Sequence, residues 1–164
     1  MVGPAPRGWH IAQMNVARAL YDTDDNRMAG FMDSLDRINA LAEESSGFVW
    51  RLKDESGNAT NMKLTDDPRF IVNMSVWETV EALYDFAYKS AHTPFIGRRH
   101  DWFEKPSEPI QVLWWIRSDS APPDPATGLE RLTELRENGP GPKAFTFKQP
   151  FDPPDSNAAD NDAA

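Results

Sequence analysis

The sequence predicts an α+β domain of the ferredoxin-like kind, a four-stranded antiparallel sheet with helices on one face, completed by a second copy as a dimeric α+β barrel. Its hydrophobic period switches between two and about 3.6 in the order strand, helix, strand, strand, helix, strand. The 164 residues, 40% of them hydrophobic, suit a single core. Beyond those six elements only a small helix and a last strand remain. The sheet face away from the helices is therefore left for a second subunit to cover, sheet on sheet, as a homodimer.

Residues 1–8 hold Gly3, Pro4, Pro6 and Gly8 and are expected to be flexible; a single domain runs over 9–151; the acidic 152–164 is expected to be a disordered tail. Trp9 to Val16 reads as the first strand. Asp24 to Glu44 carries Met28, Phe31, Leu35, Ile38 and Leu41 at spacings of three and four, an amphipathic helix. Gly47 to Lys53 and Phe70 to Trp77 are rich in strand formers and are separated by turn chemistry at Asp54–Asn58, so they read as an antiparallel pair. Glu78 to Lys89 repeats the helical period. Thr93-Pro94 interrupts it, and Phe95, Arg99, Trp102 and Phe103 make a second short helical face. Ile110 to Arg117 is the most strand-like run, closed by the proline-rich Ala121 to Pro125. Leu129, Leu132 and Leu135 mark a small helix stopped at Gly139-Pro140, before a last strand over Ala144 to Lys148.

Composition narrows the functions. With 17 basic against 26 acidic side chains the net charge is −9, so neither a nucleic-acid backbone nor an anionic membrane is an expected partner. The absence of cysteine removes disulfides, thiolate metal sites and cysteine nucleophiles. No apolar leader opens the chain and no run reaches the roughly 18 residues of a membrane span, so the expected location is cytoplasmic. No P-loop, dinucleotide-binding glycine pattern, nucleophile elbow or zinc-ligand spacing occurs.

Strand alternation sorts the candidate site residues. Gln13 and Asn15 share one face of the first strand; Asn73, Ser75 and Trp77 share one face of the third; Gln111, Leu113, Trp115 and Arg117 share one face of the fourth. Their alternates, Ala12, Met14, Val72, Met74, Val76, Val112, Trp114 and Ile116, are apolar and suit packing under helices. The polar and aromatic face is then expected to line the barrel. Amides that fix orientation on aromatic walls make a small-molecule site; the same pattern also fits a wet dimer interface. His92, at the helix break, is the acid/base candidate, against the alternative of a histidine bonding a broken helix end. Arg99, in the basic run Arg98-Arg99-His100, is a candidate for an anionic group of a ligand, against a solvated helix face. His100 and Glu104 have i,i+4 spacing, but two ligands do not make a site, and no metal is predicted. Tyr84 and Tyr88, one turn apart, read as core.

Ala12-Gln13-Met14-Asn15, Ser75-Val76-Trp77-Glu78, the run His92-Thr93-Pro94-Phe95-Ile96-Gly97-Arg98-Arg99-His100-Asp101-Trp102-Phe103, Leu113-Trp114-Trp115-Ile116 and Ala144-Phe145-Thr146-Phe147 together resemble a bacterial family, domain of unknown function 3291. The resemblance runs from Trp9 to Phe151 and implies the dimeric α+β barrel superfamily, alongside antibiotic-biosynthesis and haem-degrading monooxygenases. Where the family tends to read Pro-Ala-Gly-His after the paired tryptophans, this chain has Arg117-Ser118-Asp119-Ser120 and lacks that histidine. Set against the haem-degrading branch, Asn15 and His92 match its asparagine and histidine, whereas its tryptophan position falls at Phe86.

The resemblance and the polar face together imply a small-molecule-processing enzyme of the monooxygenase-like type, cofactor-independent, acting on a hydrophobic or aromatic metabolite. In it Asn15 and His92 would be catalytic, and Gln13, Asn73, Ser75, Trp77, Trp115 and Arg99 would bind substrate. The alternative is a non-catalytic binder of a small molecule or of haem through His92. A purely structural dimer with a filled interior is the third reading.

Overall fold

The computed structural model describes residues 7–53, 67–89 and 97–154. The expectations for residues 1–6 and 155–164, and the helix break at Thr93-Pro94, lie outside them. β1 (Trp9–Arg18), α1 (Ala29–Glu44), β2 (Phe48–Arg51), β3 (Phe70–Trp77), α2 (Val80–Lys89) and β4 (Gln111–Arg117) follow in the expected order. The strands lie in the order β2-β3-β1-β4 with every neighbouring pair antiparallel, which is the ferredoxin-like arrangement.

Local chemistry sets the element ends. Asp25 accepts the Arg27 backbone N–H at 2.8 Å and opens a 3-10 turn, Asn26–Met28, that runs into α1. Between α1 and β2 the chain turns at Gly47, φ 85°, where a Cβ would lie 2.6 Å from the Ala82 Cβ of α2. Only glycine allows both that backbone conformation and that approach. Thr79 Oγ1 accepts the Ala82 N–H at 3.0 Å and starts α2.

The C-terminal helix changes the architecture. α3 (Pro125–Asn138) has 14 residues, more than the leucine spacing marks, because Asp124 caps it by accepting the Thr127 N–H at 2.8 Å and Pro125 takes the first turn. Leu132 and Leu135 bury themselves against Ala12, Met14, Val72, Met74, Val112 and Trp114. Gly128 lets the helix lie close: a Cβ there would come within 2.4 Å of Met14 Cε. The opposite face carries Ile11, Trp77 and Leu113, which pack with Ala42 of α1 and with Ala82 and Leu83 of α2.

Two expectations are thereby corrected. The sheet face turned away from α1 and α2 is covered by the chain's own α3, so the argument for association from an uncovered face does not hold. The face assignment is also inverted: Ala12, Met14 and the other apolar residues of their face pack under α3, while the face of Gln13, Asn15, Asn73 and Ser75 is the one beneath α1 and α2. A period of two separates the faces of a strand, but both are buried here, and hydrophobicity does not say which helix covers which.

Three smaller differences follow from packing. The last strand expected over Ala144 to Lys148 pairs with β4 only at Phe145, through two backbone bonds to Leu113 of 2.8 and 2.9 Å. After α2, the described part of the second helical face is a 3-10 turn, Arg99–Asp101, followed by Trp102 and Phe103, which are buried with Ala19, Met28 and Ile71. Tyr84 and Tyr88 are exposed rather than core, 4.9 Å apart between ring centroids and both set edge-on against Phe147.

Two outcomes are expected. Leu132→Ala should lower the unfolding free energy by about 2–4 kcal/mol in a denaturant titration, since it empties the contact between α3 and the sheet. The Arg27 guanidinium, with help from its backbone N–H, holds the Asp25 carboxyl at about 2. This depressed value adds stability that is present above the ordinary carboxylate range and lost as pH falls towards about 2. Asp25→Asn should therefore flatten the drop in melting temperature between roughly pH 4 and pH 2.

Candidate functional site

The register of the three inner and edge strands lines up the polar side chains in rows. Asn15 stands opposite Asn73 on one side and Gln111 on the other; Gln13 stands opposite Ser75 and Leu113; Ile11 stands opposite Trp77 and Trp115. Side chains directly opposed across strands are within reach of each other, so the sheet itself gathers Asn73, Asn15, Gln111, Gln13 and Ser75 beneath α1 and α2.

Gln13, 3% exposed, is the centre of this group. Its Nε2 donates to Asn73 Oδ1 at 2.8 Å and to Ser75 Oγ at 2.9 Å, and its Oε1 accepts from Gln111 Nε2 at 3.3 Å. Ser75 Oγ also accepts the Trp77 indole N–H at 2.9 Å. Asn15 is different: its Oδ1 is buried and has no hydrogen-bond partner among the described residues. A buried carbonyl left unpaired costs about 1–3 kcal/mol, so in a native fold it calls for an explanation. Asn73, in the row beside it, is exposed: the β2 register on β3 ends at Arg51 opposite Ser75, so Asn73 has its paired strand neighbour on the β1 side.

Apolar clusters bracket the amides. On one side Trp77 is fully buried, stacked on Phe86 of α2 at 5.2 Å and edge-on to Phe48. On the other, Ala17 and Ile71 lead to Phe31, Trp102 and Phe103. The structure thus brings Gln13, Asn15, Asn73 and Ser75 together. Trp77 joins them only through its N–H on Ser75. Trp115 is held by the C-terminal segment, its indole N–H on the Phe151 carbonyl at 2.7 Å.

Arg99 stands apart from the amides. Its guanidinium lies 5.3 Å from the Phe103 ring centroid, and burial pulls its pKa below the ordinary value. Among the described residues no hydrogen bond or ion pair joins it to the amide row. His92 lies outside the described residues. His100 is exposed and sits 3.2 Å from Asp101. Among the described residues no three histidine or acidic side chains gather as a metal site.

Gln111 is the residue that sequence reading leaves out of the binding set, although alternation places it on the correct face; its register against Asn15 makes it the third amide of the row. Arg51 is the other. It stands opposite Ser75 with its side chain 12% exposed and its Nε on Glu43 of α1 at 2.9 Å, so one end of the Gln13 row is closed by a paired charge.

No curated protein matches the sequence. Among solved structures, the chain is similar to SnoaB, described as a cofactor-independent oxygenase from Streptomyces nogalater, at 14% identity and a TM-score of 0.43, over 70% of this chain and 98% of that one. It is also similar to the NE2512 protein of unknown function from Nitrosomonas europaea, at 12% identity and a TM-score of 0.44, over 73% and 98% of the two chains. The sequence matches the family described as domain of unknown function 3291 over residues 10–161, and the chain belongs to that family.

Proposed function

We propose that the chain is a small-molecule-processing enzyme of the monooxygenase-like type that works without a metal or nucleotide on an aromatic metabolite, held at the amide row of the sheet face on which α1 and α2 pack. One observation carries this reading. Asn15 places a buried carbonyl oxygen without a partner among the described residues in the middle of a row of amides, beside the exposed Asn73. Such a group is left unpaired at little net cost when a ligand supplies the missing bond.

The amides suit one kind of chemistry. The N–H groups of Asn15 and Asn73, fixed and neutral, suit stabilising the oxygen of an enolate or phenolate as its charge develops, while Asn15 Oδ1 accepts a donor elsewhere on the same ligand. An electron-rich anion of that kind is able to react with dioxygen without help from a metal. Its formation needs a base, and His92 is the residue the sequence nominates for it. Pairing of two copies belongs to this reading as well, but a barrel formed sheet on sheet would require α3 to leave its seat on Met14 and Met74.

Native mass spectrometry of the purified protein, with the absorbance spectrum of the same sample, should show a small aromatic molecule carried by the chain and should report its oligomeric state directly. Once that molecule identifies a turnover assay, Asn15→Ala should reduce kcat by about 10²-fold. A variant that binds and turns over the compound like the parent would remove the assignment, as would an equally active His92→Ala for the role of the base.

A further inference from the structure

The hydrogen bonds around Gln13 define what the amide row offers to a ligand. A carboxamide has two N–H donors and one carbonyl acceptor. Gln13 spends both donors, on Asn73 and on Ser75, and receives one bond from Gln111. Because Asn73 accepts through Oδ1, its amide nitrogen is the group left over; because Gln111 donates to Gln13, its carbonyl is left over. Between them Asn15 keeps its whole carboxamide. Its Oδ1 is buried and unpaired, and no described residue bonds its nitrogen. Gln13 therefore acts as a positioning residue that turns its two neighbours, while Asn15 presents an adjacent acceptor and donor.

An amide edge of this kind is complementary to another amide edge. A carboxylate brings only acceptors and would set an oxygen lone pair against Asn15 Oδ1. An ammonium brings only donors and leaves the Asn15 nitrogen unpaired. A ring with N–H next to C=O meets both atoms with two parallel bonds. No charge stands in the Asn73-Asn15-Gln111 row to favour an ion, and the nearby Arg51 is already paired with Glu43. Resting on the reading of this amide row as a ligand site, we infer that its ligand is a neutral, flat lactam or the tautomeric hydroxy-heteroaromatic, bound through Asn15.

The test is a titration of the full chain with three probes of one shape: 2-quinolinone, 1-methyl-2-quinolinone and quinoline-2-carboxylate. The lactam should bind; the methylated compound, which lacks the donor, should bind at least about tenfold more weakly, and the carboxylate should be weaker still. Asn15→Asp, which keeps the shape and removes the donor, should abolish the preference for the lactam, with a dispersed NMR spectrum confirming the fold. Equal binding of the methylated compound, tighter binding of the carboxylate, or binding of none of the three overturns the ligand class. The broader reading fails on a different result: a set of neutral aromatic fragments that leaves the side-chain amide NMR signals of Asn15, Asn73 and Gln111 unmoved.

Discussion

β1 is bonded along both edges and buried on both faces, and the rest of the molecule is arranged around that constraint. β3 and β4 take its backbone groups. α3 takes Ala12 and Met14, which have no exposed surface, while α1 and α2 lie over Ile11 and Gln13. A strand held in this way cannot turn a polar side chain to solvent. Gln13 must find its hydrogen bonds among the residues opposite it, and the amide network is the consequence of where β1 sits.

Asn15 shows the limit of that rule. One pair of residues along the same strand, the same requirement applies, yet its carbonyl is buried without a partner. The residues opposite it, Asn73 and Gln111, are both engaged with Gln13 instead. Over Ile11 the helices pack tightly, with Trp77, Phe86, Leu83 and Ala42 filling the space. Over Ala17 the cluster of Phe31, Trp102 and Phe103 does the same. Between the two, Asn73 reaches solvent. Along the sheet the polar row lies between these two apolar clusters.

Charge is kept at the margins. Arg18, at the end of β1, bonds both Asp67, ahead of β3, and Glu104, after Phe103; Arg69 pairs with Asp22 at 3.0 Å. These pairs are largely exposed, so their contribution is to orient the segments entering the sheet rather than to hold the core. The Asn73-Asn15-Gln111 row is consequently neutral, although the chain as a whole carries −9.

Much of this was legible in the residues themselves. The alternation of Gln13 and Asn15 with Ala12 and Met14 determined which side chains share a face, and the order of hydrophobic periods determined the topology of the sheet, because both depend on local geometry that repeats along the chain. The Asp124-Pro125 start of α3 was also there to be read, though masked by the proline-rich stretch before it. Long-range packing set which helix lies on which face, that α3 reaches back over β1, and that Trp77 is sealed while Asn73 is exposed. Those outcomes depend on contacts between residues far apart in sequence, such as Gly128 on Met14 and Phe86 on Trp77. Neither partner carries a local sign of the other, so the residue pattern nominates candidates and packing decides which of them stand together.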